Sequence, residues 1–133
     1  MDDIFAALKY EGFEDGFELD QGIFYPAIKA DPKKYVRKIT PSTKRWIKSM
    51  RDEGKFVFLG TSSTAEYAKF ILQNILVDDN GEPEDYWKYF DICLSDAKKP
   101  NFFTKDAPFL DVETGLPAQL VSGKWYADGK YML

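Results

Sequence analysis

The apolar positions along this chain change period several times, and each change marks an element. Between Ala65 and Leu76, Ala68, Ile71, Leu72, Ile75 and Leu76 recur at i, i+3, i+4, i+7 and i+8, the spacing of one helical face, and the stripe ends at Val77. Ser63-Thr64-Ala65-Glu66 has the form of a capping box, which places the helix start near Thr64. On both sides the pattern tightens to short apolar runs. Lys55–Leu59 and Asp91–Ser95 read as buried strands. Strand, helix, strand is a βαβ unit, with parallel strands and a right-handed crossover expected. Upstream, Thr40 before Pro41 is an N-cap followed by proline at the first helical position. That helix is expected to run through Trp46, Ile47 and Met50 to about Glu53, with Gly54 as its C-terminal cap.

The flanks are less regular. Asp2 to Tyr10 predicts a short helix, with Ile4, Ala7 and Leu8 as its stripe and two leading aspartates at its positive end. Glu11–Gln21 is acidic and broken by Gly12 and Gly16, an irregular loop anchored by Phe13, Phe17 and Leu19. Gly22–Tyr35 is weakly helical and interrupted by Pro26 and Pro32. Asp78–Asp85 predicts an exposed acidic turn, and Tyr86–Phe90 a short aromatic helix or turn at the sheet edge. Phe109–Glu113 and Ala118–Val121 flank Thr114-Gly115 as a β-hairpin would, and Trp125-Tyr126 with Asp128-Gly129 add a further short strand and turn. The expected fold class is therefore α/β: a Rossmann-like parallel sheet with a βαβ unit, plus a C-terminal β-hairpin region. The expected segments are 1–39 (helical and irregular), 40–104 (the α/β core) and 105–133 (a hairpin extension of the same domain).

Composition narrows the function. With 133 residues, 44% apolar and a formal charge of −4, the chain is the size of one domain and carries no basic footprint for DNA. No apolar run approaches the ~18 residues of a membrane span. Met1-Asp2-Asp3 does not open like a signal peptide. One cysteine, Cys93, sits in an apolar strand and reads as core, so a reducing, cytoplasmic setting is expected. Histidine is absent, which excludes Ser-His-Asp and Cys-His mechanisms and any His-containing zinc site within this chain. Carboxylates, lysines, hydroxyls and backbone groups remain for chemistry.

Those groups gather at two strand ends. In open α/β sheets ligands bind beyond the carboxyl ends of the parallel strands. Thr61, Ser62 and Ser63 follow the first strand, and Lys99 follows the second by a few residues, before Pro100. The Thr61 hydroxyl and the amides of Ser62 and Ser63, taken as unpaired ahead of a helix, suit a small anion such as phosphate. Lys99 suits charge neutralisation. Taken alone, the hydroxyl run also serves as a helix cap, and an isolated lysine as a solvated surface residue. The acidic run at 78–85 lacks the calcium-loop pattern and reads as a solvated loop. Tyr86, Trp87, Tyr89 and Phe90 read as packing residues before base-stacking ones.

The two segments resemble the second and third motifs of the haloacid dehalogenase superfamily. The run Phe90-Asp91-Ile92-Cys93-Leu94-Ser95-Asp96-Ala97-Lys98-Lys99-Pro100-Asn101-Phe102-Phe103 is similar to the string that typifies its cytosolic purine 5′-nucleotidases. Thr61-Ser62-Ser63 and Lys124-Trp125-Tyr126 resemble the domain-containing branch of that family. The resemblance is firm from about Tyr35 to Thr104 and looser outside. It implies Mg²⁺-dependent hydrolysis of nucleotide monophosphates through an aspartyl phosphate, with Thr61 and Ser62 holding the phosphate and Lys99 stabilising the intermediate. It also implies an Asp-x-Asp nucleophile and a downstream Gly-Asp…Asp metal motif. No two aspartates in this chain have Asp-x-Asp spacing, so the chain reads as an internal fragment, inactive alone and holding no Mg²⁺ by itself. A non-catalytic binding or interaction domain of the same fold is the alternative. An open sheet edge would favour self-association.

Overall fold

In the computed structural model, residues 6, 16–97, 99, 101–104 and 107–127 are described. The helix expected over 2–10 lies outside them except for Ala6, which is helical, and so do Phe13, Lys98, Pro100 and the Asp128-Gly129 turn. The chain divides into two compact units, 1–38 and 39–133.

The first unit contains a turn at 16–20 and two short helices, α1 (Phe24–Ala30) and α2 (Pro32–Tyr35). Both prolines are tolerated because they fall in a first turn, where the amide they lack would have no helical partner. The Lys29 ammonium holds the turn: it donates to the Phe17 carbonyl and to Asp20 Oδ1 and stands 4.2 Å from the Phe17 ring centre.

The second unit begins with α3 (Pro41–Asp52), and its ends follow the sequence closely. Thr40 Oγ1 accepts from the Thr43 amide at 3.2 Å. At the other end Gly54 has φ +79°, its amide donates to Arg51 O, and the Lys55 amide reaches Met50 O at 3.0 Å. This is a Schellman closure, and the left-handed residue at its centre favours glycine. Next come β1 (Phe58–Gly60), α4 (Ala65–Leu76), a 3₁₀ helix (Pro83–Lys88), β2 (Ile92–Ser95), α5 (Asn101–Thr104), β3 (Leu110–Asp111) and β4 (Lys124–Ala127).

Among the described residues the strands form one four-stranded sheet in the order β1-β2-β4-β3. β1 runs parallel to β2 with Phe58 beside Ile92, β2 runs parallel to β4 with Cys93 beside Trp125, and β3 is antiparallel to β4. The sheet is open, a Rossmann-like α/β arrangement. Both faces of its centre are covered, so every residue of β2 is buried. One face carries Cys93 and Trp125 against Ala65, Ala68, Leu72 and Leu76 of α4, with Tyr86 and Phe90. The other carries Ile92, Leu94 and Tyr126 against Phe102, Phe109 and Ala118.

Four details differ from the sequence reading. The first strand is Phe58–Gly60 and not Lys55–Leu59, and it is an edge strand, with Phe58 46% exposed. The ladder starts late because the chain at Val57 is clasped by Asp91: Val57 N donates to Asp91 Oδ2 at 2.8 Å and Asp91 N to Val57 O at 2.7 Å. The capping box does not form: Thr64 is the N-cap of α4, its side chain makes no cap bond, and the Ser63 amide turns back to Thr61 Oγ1 at 3.1 Å. The aromatic run is a core element and not an edge one, because the buried Tyr86 hydroxyl accepts from Trp125 Nε1, 3.1 Å away, on a central strand. Finally, the further short strand expected at Trp125-Tyr126 forms, but its place is central. It belongs to β4, which sits between β2 and β3, while the hairpin about Thr114-Gly115 is short, bridged at Leu110–Pro117 and closed by Asp111 N to Leu116 O at 3.0 Å.

Candidate functional site

The carboxyl ends of β1 and β2 are laced together by backbone hydrogen bonds. Thr61 N donates to Leu94 O at 2.8 Å, Ala97 N to Thr61 O at 3.0 Å, and Asp96 N to Ser63 O at 2.9 Å. The last two tie the segment that leads to Lys99 directly onto the hydroxyl turn. Asp96 makes this reach by adopting φ +49°, a left-handed conformation that aspartate tolerates better than most residues. The sequence reading gave Asp96 no role, although an aspartate immediately after a buried strand is a turn signal.

Within the turn, Thr61 is half-buried, Ser62 exposed and Ser63 half-buried. Thr61 Oγ1 accepts from Ser63 N, so the Ser63 amide is engaged and not free, contrary to the sequence expectation. A threonine hydroxyl keeps its proton for donation when a lone pair is used this way. The Ser62 amide and hydroxyl have no protein partner among the described residues. Helix α4 starts at Ala65, with its first amides directed toward the turn as in any helix start. Lys99 is exposed and lies in a turn two residues beyond Ala97. Phe102 is half-buried against Ile92, Leu94 and Tyr126, which anchors the chain just after Lys99 to the sheet. The fold thus ties the Thr61–Ser63 turn to the strand exit carrying Lys99, and it offers a hydroxyl donor, a free amide and a solvated ammonium group there.

The other chemistry-bearing residues are structural. Cys93 is fully buried, and burial pushes its thiol well above the ordinary range, which keeps it protonated and unreactive. Burial likewise pushes the Tyr86 phenol up, while the bond from Trp125 opposes that shift. At the opposite pole, before β2 and at the start of β4, a cleft of about 230 Å³ is lined by Lys69, Glu84, Trp87, Lys124 and Trp125. None of its lining residues belongs to the Thr61–Ser63 turn or to the segment that leads to Lys99. Among the described residues no three acidic or cysteine side chains cluster as metal ligands, and no helix is long and apolar enough to cross a membrane.

An open α/β sheet with a hydroxyl turn after one parallel strand and a lysine after the next defines a Rossmann-like protein with a candidate anion site. The chain belongs to the 5′ nucleotidase family, whose pattern it matches over residues 19–132. It is similar to 5′-nucleotidase domain-containing protein 1 of Homo sapiens, with 32% identity over 96% of this chain, and to that of Bos taurus, with 33% over 96%. A 5′-nucleotidase domain-containing protein of Dictyostelium discoideum is 33% identical over 52% of the chain. The chain spans 28% of the length of the human and bovine relatives.

Proposed function

We propose that this chain carries the phosphate-binding part of a nucleotide phosphomonoesterase, and that Thr61, Ser62 and Lys99 hold the phosphate. The observation that carries this reading is the pair of bonds from Ala97 and Asp96 to Thr61 and Ser63, which fixes the two strand ends as one unit. In the reading, the Thr61 hydroxyl and the Ser62 amide donate to phosphate oxygens, and Ser63 contributes by orienting Thr61. The Lys99 ammonium offsets charge on the transferring phosphoryl group. Family membership supports a nucleotide monophosphate as the substrate class. Hydrolysis through an aspartyl phosphate needs a carboxylate nucleophile, and no Asp-x-Asp pair is present in this chain. Among the described residues no three carboxylates come together as a Mg²⁺ ligand set would require. The expected behaviour of the chain alone is phosphate binding without turnover.

The test is a thermal-shift titration with inorganic phosphate and, separately, a nucleoside monophosphate. Stabilisation is expected for the wild-type chain and its loss for Thr61→Val and Lys99→Ala. Identical melting with and without phosphate would sink the phosphate reading and leave the turn as a helix-start device, with the chain acting as a non-catalytic interaction domain. Phosphatase turnover by the purified chain would overturn the expectation of inactivity.

A further inference from the structure

Where β1 and β2 end, their ladder slips by one residue. Thr61 N donates to Leu94 O at 2.8 Å, in step with the pairing of Gly60 beside Leu94. Parallel strands bond at even spacing, so the amide two residues after Leu94, that of Asp96, is the regular donor to Thr61 O. That carbonyl instead accepts from Ala97 N at 3.0 Å, and Asp96 N is carried across to Ser63 O at 2.9 Å. Asp96 is thus an extra residue on the β2 side, in the manner of a bulge, a device that re-aims the chain leaving a sheet. The slip depends on φ +49° at Asp96, and among the described residues only Asp20 shares a positive φ without being glycine. A conformation of this kind persists where the surroundings hold it, and such residues gather at working sites. Here it gives Lys99 a fixed root. Ala97 is turned inward and buried, and Phe102 packs against Ile92, Leu94 and Tyr126, so the chain carrying the exposed Lys99 is anchored on both sides. A regular ladder would carry Lys99 about 3.3 Å, one residue's rise, further along.

We propose that Asp96 is a positioning residue for the phosphate site, and that its left-handed backbone, not its carboxylate, holds the root of Lys99 at the Thr61–Ser63 turn. The inference rests on the reading of Thr61, Ser62 and Lys99 as the groups that hold phosphate. Aspartate and asparagine enter the left-handed region more readily than other residues because a short polar side chain can bond locally, and glycine enters it without steric cost. Position 96 therefore accepts Asp, Asn or Gly and disfavours the rest. An ordinary residue there relaxes by giving up the bonds to Thr61 and Ser63, which frees the Lys99 segment from the turn. Only a fraction of the chains then presents Lys99, and the apparent affinity for phosphate falls by that fraction. The carboxylate itself adds negative charge to the segment that leads to an anion site, so its removal does not weaken binding.

The experiment is calorimetric titration of the full 133-residue chain with inorganic phosphate, with amide hydrogen exchange measured on the same samples. Asp96→Asn and Asp96→Gly are expected to bind at least as tightly as wild type. Asp96→Val is expected to bind about five-fold or more weakly, the equilibrium cost of placing an ordinary L-residue in the left-handed region. Asp96→Ala falls between them and carries the test should the valine chain fail to fold. In both weakened variants the amides of residues 96 and 97 lose protection, while those of Cys93 and Leu94 in β2 keep theirs. Lys99→Ala added to Asp96→Val is expected to weaken binding no further than the stronger of the two single changes, whereas independent effects would multiply. Multiplying losses, an Asp96→Asn chain as weak as Asp96→Val, or Asp96→Val and Asp96→Ala chains that bind like wild type would each overturn the inference and leave the phosphate site standing. A wild-type chain that binds no phosphate would overturn the phosphate reading itself, and the role of Asp96 with it.

Discussion

Asp91→Ala is the substitution that best tests how the β1 end of the sheet is held. Asp91 precedes β2 and uses all of its polar groups. Its Oδ1 accepts from Arg51 Nη2 at 2.9 Å, its Oδ2 from Val57 N at 2.8 Å, and its carbonyl from Gly123 N at 2.7 Å. One residue thereby joins the end of α3, the approach to β1 and the turn before β4. Truncation to alanine removes two bonds to a charged acceptor, each worth about 1.5–3 kcal/mol where shielded from water. Arg51 and Asp91 side chains keep 26% and 18% of their exposure, so water recovers part of that loss. Arg51 also retains its bond to Trp87 O at 2.7 Å. The expected cost is about 2–4 kcal/mol, a large share of the ~5–15 kcal/mol that holds a domain together. Asp91→Asn keeps an acceptor for Val57 N and loses only the ion pair, for an expected cost of about 1–2 kcal/mol. Urea denaturation followed by tryptophan fluorescence measures both, and a cycle with Arg51→Ala isolates the pair. An Asp91→Ala chain within about 0.5 kcal/mol of wild type would refute the clasp, since that is the scale of ordinary surface changes.

Other outcomes follow from the same structure. Tyr86→Phe strands the Trp125 indole N–H in the core, and a loss of about 1–3 kcal/mol is expected by urea denaturation. Gly81→Ala places a Cβ 2.9 Å from Val77 Cγ1, and because Val77 is buried and stiff a loss of about 1–3 kcal/mol is expected in the same assay. The bond from Lys124 and two turn amides hold the Asp111 carboxyl below its ordinary 3.8, so its stabilisation is present above that pH and is lost as pH falls through the lowered value. Melting temperature followed from pH 5 downward should therefore drop more steeply for wild type than for Asp111→Asn, and parallel curves would contradict the assignment. Cys93 should resist a thiol reagent in the native chain at pH 8 and react only on unfolding, as absorbance of the released chromophore would report.

Much of the fold is legible where one local rule dominates. Thr40-Pro41 and Gly54 announce the ends of α3, and the stripe from Ala68 to Leu76 announces α4 and its buried face. The strands were harder to place, because their limits depend on residues distant in sequence. Nothing in Lys55-Phe56-Val57 foretells that Asp91 occupies the Val57 peptide and delays the ladder. The position of β4 was illegible for a similar reason. Four residues, Lys124 to Ala127, look like any short strand, and only burial on both faces, with Trp125 to one side and Tyr126 to the other, makes them central. At the candidate site, the hydroxyl turn and Lys99 could be read from residue type. The Thr61–Ser63 bond that replaces a capping box is a conformational fact without a sequence pattern of its own, and the left-handed Asp96 that lets two amides reach across is announced only by a turn signal, an aspartate directly after a buried strand.

The order β1-β2-β4-β3 also bears on how the chain is made. Among the described residues, β2 finds its second neighbour only in β4, and β3 is joined to the sheet through β4 alone. During synthesis the βαβ unit emerges with one flank of its central strand bare, and it stays so until Lys124–Ala127 leave the ribosome. The hydrophobic β2 therefore waits for its second neighbour until β4 is made, and a premature stop anywhere before Lys124 would leave that flank of β2 without its partner strand.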